Sequence, residues 1–179
     1  MFISKDKTFA VVVDLQEKLM PSIRNGSEVI DMSVKLLNGL KLLGVDVFVT
    51  QQYTKGLGVT IPEIWETSGC EWYVEKLSFG AYGDLARVIP SKEEKPFALI
   101  IGVEAHVCVM QTALGLKEAG YQPVLIMDCI GSRKEKDMLT AIERAKQEGI
   151  ILATCESVLF ELLHKAGTEE FKAISRLVR

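Results

Sequence analysis

At 179 residues and 19.9 kDa the chain fits one domain, 1–179, against a prior of about 150 residues per domain. A chain of this mass buries about 70% of its unfolded surface, so it needs no disulfide or metal staple. The 21 basic and 24 acidic residues give a formal net charge of -3 and supply no field for gripping phosphate backbones, which argues against nucleic acid as a partner. The 48% hydrophobic and 25% charged fractions exclude charge-driven disorder and point to a buried sheet plus a subunit interface, hence a homo-oligomer. No apolar run approaches the roughly 20 residues that span a bilayer, and MFISKDK turns to charge where a signal peptide stays apolar. We therefore expect a cytoplasmic chain with no membrane partner. Cys70, Cys108, Cys129 and Cys155 lie 38, 21 and 26 residues apart with no CxxC pair, and only two histidines accompany them, so neither a metal site nor a redox pair is expected.

In chain order, FAVVVD reads as a first apolar strand, followed by a helix over 27–43 with Ser27 as its N-cap. KLLG then ends that helix and VDVFVT follows at once as a second strand. KEAG before YQPVLIMD and KQEG before IILATC repeat this helix, glycine, strand pattern. FALIIG supplies another strand in the middle, and WYVEK at 72–76 a short sixth. Further helices are predicted over 107–119, 134–148, 157–165 and 168–177. The stretch 51–89, rich in aromatics and glycines, is too long to be only a connector. This alternation predicts a Rossmann-like α/β fold, a three-layer αβα sandwich around a six-stranded, mostly parallel sheet. Ligands in such folds bind beyond the carboxyl ends of the strands.

The chemistry-bearing residues are sought at those ends. Asp14 directly follows the first strand, where it is either a reactive carboxylate or an ordinary cap. Lys76 ends the short strand, where a lone lysine is otherwise a surface charge. Cys108 lies six residues past FALIIG at the start of a predicted helix, whose dipole and a neighbouring lysine would depress its pKa. Cys70, Cys129 and Cys155 read as buried structural thiols, the last two at strand ends with no helix behind them. A nucleophilic thiol needs a base and a cation, and an aspartate and a lysine serve where histidine is absent. The turn GVEAHVC offers backbone N–H groups for an oxyanion, those of Val107 and Cys108 foremost.

Five motifs in order resemble the isochorismatase-like cysteine hydrolase family over nearly the whole chain: VVVDLQ, EKLSFGAY, GVEAHVCV, DCIGSR, and ESVLFELL with GTEEFKAISRLV. The last is most similar to the isochorismatase domain-containing subgroup. The resemblance implies a catalytic triad of Asp14, Lys76 and Cys108, a covalent thioester on the cysteine in amide-hydrolysing relatives, and a non-proline cis peptide between Val103 and Glu104.

Departures narrow the chemistry. The loop QQYTKGLGVTIPEIW has no histidine where nicotinamidase relatives place their metal ligands, so no metal and no other cofactor is expected. The siderophore isochorismatases that cleave a vinyl ether can lack the cysteine, which disfavours isochorismate. Gln16, Gln52, Tyr53, Phe79 and Tyr82 are predicted to line a cleft for a small-molecule substrate. His106 sits too close in sequence to Cys108 to reach its sulfur, His164 reads as a surface residue, and Ser132 and Arg133 read as loop or subunit contacts. The expected function is metal-independent hydrolysis of the C–N bond of a small amide or related acyl compound. The alternatives are a silent binding or scaffold protein on the same fold and isochorismatase-type ether hydrolysis. No G-x-G-x-x-G, P-loop or G-x-S-x-G turn supports a nucleotide or serine-hydrolase reading.

Overall fold

A computed structural model describes residues 2–179. Strand β1 is Thr8–Val13, helix α1 Gly26–Leu43, β2 Asp46–Gln52, α2 Thr54–Leu57, α3 Pro62–Ser68, β3 Val74–Lys76 and α4 Tyr82–Leu85. There follow β4 Phe97–Val103, a π-helical turn Ala105–Val109, α5 Met110–Glu118, β5 Gln122–Gly131, α6 Glu135–Gln147, β6 Ile151–Ala153, α7 Cys155–Leu163 and α8 Glu169–Leu177. The strands form one six-stranded sheet in the order β3-β2-β1-β4-β5-β6, and every neighbouring pair is parallel.

Strand periodicity divides the core in two. On β1, Ala10 and Val12 face a cluster with Leu36 and Leu40 of α1, Ile64 of α3, Leu159 of α7 and Ile174 of α8. The alternate residues Phe9, Val11 and Val13 face Leu85 of α4, Ala113 and Leu116 of α5, and Ala141 and Ala145 of α6. Both sheet faces are thus covered, which is why β1 and β4 are buried at every position and read as unbroken apolar runs. Gly44 ends α1 at φ 69, with its N–H bonded back to Leu40 and Lys41 carbonyls, and the same ending recurs at Gly120 and Gly149.

Several boundaries differ from the sequence reading for local reasons. The N-cap position of α1 is Asn25, not Ser27, and the Asn25 side chain donates to the Ile130 carbonyl instead of capping. Helix α7 begins at Cys155, because Thr154 and Ser157 form a reciprocal capping box. Cys155 therefore opens a helix, contrary to the expectation of a bare strand end. The stretch 51–89 holds three short helices as well as β3. Among the described residues, no helix is long and apolar enough to cross a membrane.

Strand order fixes where a site can form. From β1 the chain crosses to β2 on one side, whereas β4 lies on the other, so the connections leave in opposite directions and a crevice opens between the carboxyl ends of β1 and β4. Asp14 follows β1 and Cys108 follows β4, one on each side of that crevice.

Candidate active site

Asp14 is the first residue past β1 and holds a left-handed backbone, φ 52, which costs about 1–3 kcal/mol for a residue other than glycine. The turn aims its carboxylate into the sheet end, where Thr50 Oγ1 donates to Oδ1 at 2.8 Å and Lys76 Nζ donates to Oδ2 at 2.6 Å. Both side chains of the Lys76–Asp14 pair are 0% exposed, so Lys76 is no surface charge. Its other two N–H donors go to the carbonyls of Ser78 at 3.1 Å and Phe79 at 2.9 Å. Three donors with three acceptors satisfy the buried ammonium completely, the condition on which such a pair persists.

Cys108 sits in the π-helical turn after β4. Its carbonyl accepts from Thr112 Oγ1, which also accepts from the Ala81 N–H, so one threonine ties the thiol's turn to the loop after Lys76. Cys108 is 6% exposed, and Sγ donates to Gln52 Oε1 at 3.2 Å. Burial first, then the Asp14 carboxylate, push the thiol up to about 12, against the weaker pull of Lys76 and the Glu104 backbone N–H. The expected depressed pKa is therefore overturned. Lys76 is already engaged by Asp14, and the carboxylate beside the sulfur opposes a second negative charge.

The remaining residues divide. Gln16 is fully buried and its amide is taken up by backbone: Oε1 accepts the Gln52 N–H, and Nε2 donates to the carbonyls of Gln52 and Gly58. It braces the site and presents no free polar group to a ligand. Gln52 meets the sulfur directly. Tyr53, at φ 41, donates its N–H to the Lys76 carbonyl, and its ring is exposed over Gly56. The Phe79 ring is likewise exposed near the mouth while its carbonyl holds Lys76. Tyr82 is carried away: it packs on Gly115 of α5 and against Tyr121, which precedes β5 at the amino end of the sheet.

The turn after β4 also differs in detail. The Val107 N–H is spent on the Glu104 carbonyl at 3.0 Å, so it is not available to an oxyanion, whereas the Glu104 N–H is directed at the Cys108 sulfur. The Val103–Glu104 peptide bond is cis. The Glu104 carboxylate binds the Arg133 backbone N–H and guanidinium, and His106 turns its Nδ1 to Ser132 and its Nε2 toward Asp137, away from the thiol. Burial alone would raise Glu104, but Arg133 outweighs it and holds the carboxyl below its ordinary value.

Sequence reasoning missed Thr50, Thr112 and the carbonyls of Ser78 and Phe79. Period two along β2 could have found Thr50, which shares a face with Gln52. Among the described residues, no group of three or more His, Cys, Asp or Glu side chains converges as metal ligands do. A groove of about 540 Å³ lined by Glu75, Lys76, Leu77, Ser78 and Asp84 runs beside the site. Another, of about 510 Å³ and lined by Lys41 and residues 44–48 and 68–72, lies at the opposite end of the sheet.

Comparison with known proteins gives a consistent result. The family model Isochorismatase domain matches residues 8–157, a span that includes Asp14, Lys76 and Cys108. Isochorismatase domain-containing protein 2A of Mus musculus is 31% identical over 176 residues, covering 97% of this chain and 84% of that protein. Isochorismatase domain-containing protein 1 of Danio rerio is 35% identical over 173 residues, covering 93% of this chain, which spans 59% of that protein's length. A solved structure described as MAR1 ribonuclease from Caenorhabditis elegans has a TM-score of 0.89 at 31% identity, covering 99% of this chain and 92% of that one. The YcaC product of Escherichia coli, described as an octameric hydrolase of unknown specificity, has a TM-score of 0.90 at 21% identity, covering 99% and 90%, and speaks to the fold alone.

Proposed function

The chain belongs to the isochorismatase-like hydrolase family, and from that premise we propose that it is a metal-independent cysteine hydrolase that opens the C–N bond of a small amide or related acyl compound through a thioester on Cys108. The observation that carries the reading is the fully buried Lys76–Asp14 pair acting on a thiol at the carboxyl end of β4.

In this mechanism Asp14 takes the proton from Cys108 as the sulfur attacks the acyl carbon. A thiol with a pKa near 12 is protonated at rest, so the base acts during attack and no standing thiolate is needed. Lys76 holds the carboxylate in position through its bond to Oδ2. The developing oxyanion is received by the backbone N–H groups of Glu104 and Cys108. Asp14 then gives its proton to the leaving nitrogen, the C–N bond breaks, and the acyl group remains on sulfur. Water attacks the thioester with Asp14 again as base, the C–S bond breaks, and the proton returns to the thiol.

A binding protein without turnover is the competing reading, favoured by the same high thiol pKa. A ribonuclease, the description carried by the C. elegans relative, is disfavoured by the net charge of -3 and by burial of the ammonium nearest the thiol in an ion pair. Self-assembly belongs to the proposal as well: Trp72, Leu77 and Phe79 are exposed around the edge strand β3, and light scattering on the purified chain measures the copy number. The deciding experiment screens small amides while seeking an acyl mass increment on the Cys108 peptide. Cys108→Ala should abolish both turnover and increment; full activity of that variant on a verified substrate would remove the nucleophile.

A further inference from the structure

Gln52 ends β2 and shares a sheet face with Thr50, which holds the Asp14 carboxylate. Its backbone is clamped on both sides: Gln16 Oε1 accepts its N–H at 2.8 Å, and Gln16 Nε2 donates to its carbonyl at 3.1 Å. Among the described residues its side chain makes two hydrogen bonds, Nε2 to the Leu77 carbonyl at 3.4 Å and Oε1 with Cys108 Sγ at 3.2 Å. A partly exposed amide on a fixed backbone moves by side-chain rotation alone.

Those contacts determine which way the amide faces. A backbone carbonyl only accepts, so Nε2 must point at Leu77 and Oε1 is left toward sulfur. An acceptor there is satisfied by S–H, whereas a thiolate would oppose it with a second negative atom. The charges acting on the sulfur are Asp14 and Lys76. The other titratable groups around it are turned elsewhere: Glu104 to Arg133, His106 to Ser132 and Asp137, Glu75 to the Thr54 N–H, and Asp84 to Ser78.

We infer that Gln52 is a resident lock on the site: its carboxamide caps the Cys108 thiol, holds the S–H through Oε1 at rest, and swings aside when a ligand carbonyl takes its place. This rests on the reading of Cys108 as nucleophile and makes Gln52 a positioning residue that gates access to the sulfur.

The test is the rate at which iodoacetamide alkylates Cys108, followed across the neutral and alkaline range and assigned to the Cys108 peptide by mass spectrometry. Gln52→Ala, and Gln52→Asn whose amide is too short to reach, should react about fivefold faster at neutral pH, the factor that losing one hydrogen bond to the protonated form represents. Their rate midpoints should move to lower pH, and that of Gln52→Glu to higher pH, a pattern that loosened packing does not produce. Gln52→Asn also carries the test should the alanine variant fail to fold. Labelling of Cys108 at one common rate and midpoint in wild type and variants would overturn the lock and leave the nucleophile standing. No labelling of Cys108 in any of them would overturn both.

Discussion

Gly102 passes so close to the end of β1 that a Cβ built on it would stand 1.9 Å from the Val13 carbonyl oxygen. Its φ of 126 is open to glycine and strained for other residues. The contact brings together, at the mouth of the crevice, the two strands that lead into Asp14 and into the turn of Cys108. Gly102→Ala should cost at least about 3 kcal/mol from overlap and backbone strain combined. That is a fall of roughly 6–12 °C in Tm for a chain this size. Calorimetry showing an unchanged Tm would refute the close approach.

The Lys76–Asp14 pair gives a second expectation. Lys76→Met leaves a carboxylate buried without its cation and should destabilise the fold by about 3–5 kcal/mol. Adding Asp14→Asn removes the stranded charge, and asparagine tolerates the left-handed turn at position 14. The double variant should therefore regain most of the stability lost in the single, while both stay inactive. Denaturant titration of the two variants measures the recovery, and additive losses would mean the two side chains do not interact.

Thiol titration supplies a third. Because burial and Asp14 push Cys108 up to about 12, its alkylation rate should climb through the alkaline range with no inflection near neutrality. Asp14→Asn removes a group that raises the value, so its midpoint should fall. Lys76→Met removes one that lowers it, so its midpoint should rise. A rate plateau in wild type below pH 8 would mean that the Cys108 thiol is not raised.

The architecture was legible because its signals are local. Apolar runs such as FALIIG and the glycines at 44, 120 and 149 carry the αβ rhythm within a few residues of each strand. Strand β3, with three residues, has too little pattern of its own and exists through its pairing with β2, where Lys76 sits opposite Gln52. Asp14, Lys76 and Cys108 were found as residues at strand ends, but the state of the thiol was misread. A helix start is a local feature, whereas the Asp14 carboxylate reaches Cys108 through space from another strand. Gln16 and Tyr82 were misplaced for the same reason: each follows a strand or loop near the site, yet the fold gives one to the backbone of β2 and the other to α5. The carbonyls that hold Lys76 belong to Ser78 and Phe79 whatever their side chains, so residue identity carries no sign of them.

The Glu104–Arg133 contact yields an acid-range expectation. Arg133 holds Glu104 below its ordinary value of 4.5, so the stability this pairing contributes is present above that pH and is lost as pH falls through the depressed value. Arg133→Gln should be less stable than wild type at neutral pH, and the gap should close on acidification below about 4.5. Thermal melts of the two proteins at several pH values check this; a gap of constant size at neutral and acid pH would mean the carboxylate is not the source.

The buried ion pair has a consequence for the energetics of proton movement. With Cys108 neutral, Asp14 anionic and Lys76 cationic, the enclosure carries no net charge. Passing the hydrogen from sulfur to carboxylate only relocates the anion, and the same ammonium still balances it. An interior poor in water is thus never asked to host an uncompensated ion at either end of the transfer, so the reaction can run in surroundings that would penalise a solitary thiolate heavily.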